Sequence, residues 1–224
     1  LKLTNLTLAS IAAAIVAIFV VAAMWYQPAP ASSPMPPPMP AASAATPPSA
    51  GDAQLLRTHS PSQGPESAPV TIVEFFDPEC ESCRAMFPIV KQVMSEFPGQ
   101  VRLVIRYMPL HPNSIYAATM LEAARAQNKY WEYLEVVMLR QPEWASHAGP
   151  RPELLVSYAP MVGLDVDQLR TAAADPQVRA RIDLDQRDGV AFGARQTPTF
   201  FINCKELMRL STVDLRTAVQ AALR

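Results

Sequence analysis

The chain has 224 residues, a formal net charge of −1 and only 17 % charged residues. That balance gives no electrostatic reason to expect nucleic acid or an acidic substrate. Three cysteines are too few for a disulfide-stapled scaffold, and a chain of this length can bury a core without one.

The first fifty residues carry almost no charge and hold many of the 23 prolines. Leu6–Tyr26 is uninterrupted by charge and long enough to cross a bilayer as a helix. Lys2 stands before it, and Trp25 and Tyr26 close it where an interfacial aromatic pair would sit. An uncleaved anchor with its N-terminus in the cytoplasm is expected for residues 1–26. The competing reading is a cleaved signal peptide, with Ala29-Pro30-Ala31 offering small residues at the right spacing. Both readings export the chain beyond residue 27. Residues 27–53 are rich in Pro, Ala and Ser, and the run from Pro34 to Pro40 favours polyproline II, so this stretch reads as a semi-rigid spacer.

A folded domain is expected over 54–224. Ser60–Pro69 is a turn-rich lead-in, and Val70–Phe76 is an apolar run of one strand's length, interrupted only by Glu74. Asp77-Pro78-Glu79 makes a turn, and Cys80-Glu81-Ser82-Cys83 opens a helix that runs to Phe97, with Pro88 in its second turn and Pro98-Gly99 as its stop. Cysteines three apart at a helix start lie on one side of its first turn. Unpaired N–H groups and the positive end of the helix dipole favour a thiolate on the first. That is the chemistry of a reversible dithiol, with Cys80 as nucleophile and Cys83 as resolving thiol. A structural or metal-binding pair is the alternative. A closed zinc site needs four ligands, and beyond this pair only Cys204, His59, His111 and His147 remain, scattered and without ligand spacing.

Val101–Met108 alternates apolar and charged residues and reads as the next strand, completing β–α–β. Its Arg106 has two readings, a partner for Glu74 or a residue facing water. From Asn113 the pattern turns helical: Ser114–Gln127, then Lys129–Arg140 with Tyr130, Trp131 and Tyr133 as core, a loop over 141–152, Glu153–Met161, a short helix capped by Asp165 or Asp167, and Pro176 to Phe192. Strand grammar returns at Thr199–Ile202, after Gln196-Thr197-Pro198. A turn at Asn203-Cys204, a strand Lys205–Leu210 and a final helix capped by Ser211 or Thr212 end the chain. Alternating helix and strand blocks around a helical insertion, over about 113–178, define an α/β domain.

This combination of a strand, Cys80-x-x-Cys83 at a helix start, a helical insertion and Thr197-Pro198 before a hairpin resembles the thioredoxin fold in its DsbA-like form. The resemblance covers about 55–224. It implies a thiol–disulfide oxidoreductase with a redox-active Cys80–Cys83 disulfide and no separate cofactor. It implies a cis Pro198 beside the cysteines, with the Thr197 backbone pairing an extended substrate segment. It also implies a buried acid, Glu74, relaying the proton of the resolving thiol, where burial would raise the carboxyl pKa. The expected substrates are exported proteins with thiols or disulfides, the expected redox partner is a membrane protein, and the expected workplace is the periplasm or another extracytoplasmic face, tethered through residues 6–26. Oxidase is the first expectation, ahead of isomerase or reductase. A tethered soft-metal-binding module and a redox-inactive scaffold are the readings from other classes. Two departures from the family stand out. Asp77, Glu79 and Glu81 surround Cys80, and such carboxylates would repel a thiolate. Cys204 occupies a turn position that suits Gly, about 13 Å of extended chain beyond Pro198.

Overall fold

The computed structural model describes residues 54–224. The expected anchor and the Pro-rich spacer lie outside the described residues. Among the described residues no helix is long and apolar enough to cross a membrane.

Five strands form one sheet in the order β1-β3-β2-β4-β5. They are β1 (Ser62–Gln63), β2 (Val70–Phe76), β3 (Val101–Tyr107), β4 (Thr199–Ile202) and β5 (Lys205–Glu206). Only β2 and β3 run parallel; β1 against β3, β2 against β4 and β4 against β5 are antiparallel. The strand bearing Glu74 is therefore the central one, buried on both faces, which is why it reads as a near-continuous apolar run. The lead-in turn holds the strand β1, which sequence reasoning passes over because two residues carry no periodicity.

The crossover from β2 to β3 is α1 (Glu81–Glu96). An all-helical run, α2 (Ser114–Arg125), α3 (Tyr130–Leu139), α4 (Gln141–Trp144), α5 (Leu154–Tyr158) with a 3₁₀ turn (Ala159–Val162), and α6 (Val166–Ala173), leads to α7 (Pro176–Ala191). The chain ends in α8 (Thr212–Ala222). The stretch 141–152 is not all loop: Pro142 at the start of α4 suits a helical first turn, and Trp144, fully buried, donates its indole N–H to the Val137 carbonyl at 2.9 Å. Caps explain three other starts. Asp165 accepts from Gln168 N, Asp175 from Gln177 N, and Ser211 from Asp214 N.

The alternation of the strands splits the core in two. Val70, Ile72 and Phe76 of β2, with Leu103, Ile105 and Tyr107 of β3, meet α1, α8 and the helical insertion through Val90, Leu215, Leu121 and Tyr133. Val73, Phe75, Val104 and Phe201 face the other way, toward Leu55, Met108 and Ala194. On that second side Gly189 of α7 packs so closely on the sheet that a Cβ there would lie 2.9 Å from Met108 Sδ and 3.0 Å from a Phe75 ring carbon.

Candidate active site

The register of the sheet builds the site. Phe75 of β2 lies opposite Thr199 of β4. Two further steps along that antiparallel pair bring Thr197-Pro198 against the turn after β2. The Thr197–Pro198 peptide is cis. Cys80 is the N-cap residue of α1, in extended conformation at φ −74° and ψ 124°. Its Sγ lies 3.2 Å from the Thr197 carbonyl oxygen, to which the thiol donates. Cys80 retains 8 % exposure and Cys83, one turn in, none. A nucleophile reachable from outside and a resolving thiol behind it is the order of exposure that disulfide exchange needs.

The two sulfurs are driven apart in acidity. The Cys83 thiol hydrogen-bonds Cys80 and is the largest influence on it. Burial opposes ionisation, but the Thr197 side chain and the N–H groups of Cys83 and Ser82 reinforce it, and the Cys80 pKa falls to about 5. Burial pushes Cys83 well above the ordinary thiol, helped by the bond to Cys80 and the charge of Glu74. The two shifts favour ionisation of Cys80 ahead of Cys83.

Glu74 is 3 % exposed, and its Oε1 has no hydrogen-bond partner. Burial first, then the Cys80 charge, raises its pKa to about 8. It lines a cleft of about 320 Å³ together with Phe87, Val90, Leu103 and Trp131. Arg106 is not its partner, nor does Arg106 face water. The parallel register sets Glu74 beside Ile105, whereas Arg106 lies beside Phe75 and points to the opposite face. There Arg106 is fully buried, pairs with Asp185 at 2.7 Å and with Asp188, and donates to the Leu55 carbonyl at 2.8 Å.

The carboxylates around the motif do not act as the sequence suggests. Asp77 is fully buried and turned away, accepting from the N–H groups of Glu79 at 2.8 Å and Leu110 at 2.7 Å and from the Ser114 hydroxyl. Glu79 accepts from the backbone and side chain of Asn113, at 2.6 and 2.8 Å. Both acids thus tie the active-site turn to the start of α2, where the unpaired amides of a helix N-terminus welcome negative charge. Glu81 is paired with His147 at 3.5 Å. None of the three is among the causes that set the Cys80 acidity. Gln141 is a further contributor that pattern reading misses. Buried in α4, it donates to the carbonyls of Pro78 at 2.8 Å and Cys80 at 3.0 Å and accepts from Arg84 at 3.1 Å. A helix-initiating Gln-Pro pair inside an expected loop is its only sequence signal.

Cys204 is exposed, in the β4–β5 turn, where Asn203 and Cys204 have φ of 43° and 67°. The turn is the type that favours Gly at its second position. Among the described residues no group of three or more His, Cys, Asp or Glu side chains is placed to hold a metal ion.

A helix-capping dithiol against a cis-proline loop on a β-α-β sheet with a helical insertion is the thioredoxin fold in its DsbA-like form. Comparison with known proteins agrees: the family described as thioredoxin matches residues 57–221, and the chain belongs to it. A thioredoxin-like oxidoreductase from Silicibacter pomeroyi is 30 % identical and superposes with a TM-score of 0.67 over 77 % of this chain and 96 % of that one. BdbD from Bacillus subtilis, at 22 % identity and a TM-score of 0.66 over 74 % and 93 % of the two chains, shares the fold. So does the thiol-disulfide exchange protein alpha-DsbA2 from Wolbachia pipientis, at 22 % and 0.66 over 75 % and 90 %. A Na(+)/H(+) antiporter NhaA from Herminiimonas arsenicoxydans is 36 % identical over 72 % of this chain but only 25 % of its own length. The chain spans about a quarter of the curated relatives it matches, and their transport activity belongs to those whole proteins.

Proposed function

We propose that the protein is an extracytoplasmic dithiol oxidase of exported proteins, working through a Cys80–Cys83 disulfide. The observation that carries this reading is the contrast in the dithiol, with Cys80 lowered to about 5 and Cys83 raised. A thiolate stabilised in the reduced protein makes the disulfide a stronger oxidant and Cys80 a better leaving group.

A substrate thiolate attacks Cys80 Sγ, the Cys80–Cys83 bond breaks, and Cys83 leaves as a thiolate that takes up a proton. A second substrate thiol, losing its proton, attacks the substrate sulfur of the mixed disulfide and releases Cys80 as the thiolate. Two electrons pass from the substrate to the dithiol, and a membrane redox partner would remove them. Glu74, with a pKa near neutrality, is suited to hold and return the Cys83 proton. The Thr197 carbonyl, beside Cys80, is suited to align an extended substrate.

The full chain equilibrated in glutathione buffers tests this. A Cys80–Cys83 disulfide with a potential near about −120 mV is expected, and a value near about −270 mV would assign a reductase instead. Cys83→Ser should trap substrates as mixed disulfides on Cys80, and Cys80→Ser should trap none. No disulfide at any potential would overturn the reading.

A further inference from the structure

Arg102 and Arg106 leave β3 on the same face, but only one of them meets acids. Arg106 is buried against Asp185 and Asp188. Arg102 is half-buried and makes no ion pair among the described residues. Its Nη2 donates to the Ser62 hydroxyl at 3.2 Å, and its Nε is buried without a partner. A guanidinium keeps its charge across the whole working pH range and has donors only, so it calls for acceptors. Ser60 repeats the deficit, since it is 8 % exposed and its Oγ has no partner. Buried donors left unpaired cost stability, and folded proteins keep few of them.

Both residues line one cavity of about 400 Å³, together with Thr58, Ser62, Arg125 and Asn128. A second cavity of about 400 Å³ shares Thr58 and Arg102 with it. Each is within the size range of small-molecule sites. The walls are pinned. The Pro61 carbonyl accepts from Ile105 N at 2.9 Å, and Ser60 N donates to the Arg57 carbonyl at 3.0 Å. Gly64, at φ +98°, lies so close to β3 that a Cβ would stand 2.3 Å from the Val101 carbonyl oxygen. Arg125 donates to the His59 carbonyl and to Glu122, the latter at 3.0 Å, and so ties the last turn of α2 to the same lead-in. The groups able to donate into the cavity are two guanidiniums, three hydroxyls and an amide. Glu66 is the acid among the lining residues; it is exposed.

We propose that this cavity is a binding site for a phosphate monoester on a small polar body, with Arg102 as its charged anchor and Ser60 as a further donor. The edge of a guanidinium grips two oxygens of a phosphate at once, and a phosphate offers more oxygens to the remaining donors than a carboxylate does. The space exceeds a bare phosphate, and the hydroxyls and amide around it suit a polar remainder. A turn of the Arg102 and Ser60 side chains toward the cavity gives their unpaired donors the acceptors that the fold withholds. The site stands at the β1 edge of the sheet, with β3 and β2 between it and the strand that follows Thr197-Pro198. It is separate from the dithiol and does not depend on the redox reading.

Calorimetric titration of the full chain with glycerol phosphate at low ionic strength tests this, with acetate as the comparison anion. Saturable one-to-one binding of glycerol phosphate is expected, with acetate at least about tenfold weaker. Arg102→Gln should weaken glycerol phosphate binding about tenfold or more, and Arg102→Lys, which keeps the charge without the fork, by less. Ser60→Ala should weaken it about threefold while its thermal midpoint holds or rises, because that hydroxyl has no partner in the fold to lose. This variant decides the matter if Arg102→Gln does not fold. Glu66→Gln should tighten binding by removing the acid beside the phosphate. No saturable binding to the wild type would overturn the proposal, as would affinities unchanged in Arg102→Gln or in Ser60→Ala. Acetate binding as tightly as glycerol phosphate would overturn the assignment to phosphate.

Discussion

Glu74 and Asp188 are both buried acids packed against the same pair of central strands, yet their acidities move in opposite directions. On the α1 side, Glu74 has no cation and an unpartnered Oε1, and burial raises its pKa to about 8. On the α7 side, burial also opposes the Asp188 charge, but Arg57 and Arg106 overcome it and hold the pKa below the usual carboxylate range. Arg57 meets Asp188 through two nitrogens at 2.8 and 2.9 Å, and Asp185 adds bonds to Arg106, to the Tyr107 amide at 3.1 Å and to His59 at 2.8 Å. The satisfied cluster fastens the residues before β1 to α7. The unsatisfied carboxyl sits behind the resolving cysteine. Partners, not burial, set the two acidities apart.

Arg106→Met breaks the structural face of this comparison. It strands Asp185 and Asp188 in a desolvated site, and losing one member of a buried ion pair costs about 3–5 kcal/mol. Urea unfolding should report that loss. The redox equilibrium of the folded fraction should be unchanged, because the cluster lies across the sheet from Cys80. A shifted redox equilibrium would show that the two faces are coupled.

Glu74→Gln should act in the other direction. The folded carboxyl titrates near 8 and an unfolded one near about 4.3, so between those limits the native state holds the extra proton. Stability is then greatest below the unfolded value and falls as pH rises through 8, by roughly 5 kcal/mol across the window for the reduced protein. The glutamine variant should lack that fall, matching wild type near pH ~5 and exceeding it by several kcal/mol near pH ~9. It should also turn over mixed disulfides more slowly. Parallel stability curves for the two proteins would mean that Glu74 is solvated and ionised in the fold.

The two faces are unequally legible in the sequence. Val70–Phe76, the C-x-x-C at a helix start and Thr197-Pro198 before Thr199–Ile202 are local patterns, and together they locate Cys80, Cys83 and the strand bearing Glu74. Arg106 is not legible. Its partners Asp185 and Asp188 come from a helix about eighty positions later, and period-two alternation alone presents a charged residue as a solvent-facing one. The acids near Cys80 mislead for a similar reason. Proximity in sequence says nothing of direction, and the donors that turn Asp77 and Glu79 away belong to 110–114. Asn113-Ser114 before an alanine-rich helix does mark a helix start, the one local hint that anions nearby would be drawn to it.

The smallest effect probes how tightly the structural face is set. Gly189→Ala gains about 1 kcal/mol of helix propensity in α7. Against this, the new Cβ meets Met108 Sδ and the Phe75 ring at 2.9 and 3.0 Å. The thioether can swing aside, but Phe75 is held on its other contacts by Phe201, edge to face at 5.9 Å, and by Arg106, whose guanidinium carbon lies 5.6 Å from the ring centre. Overpacking of a core typically costs about 1–3 kcal/mol, so the net result is a loss of about 1 kcal/mol. Thermal unfolding reads it directly. If the loss arises through Phe75 pressing on Arg106, it should shrink in the Arg106→Met background, and a double-mutant cycle gives the coupling. Strict additivity would place the clash on Met108 alone and leave the ion cluster indifferent to the packing beside it.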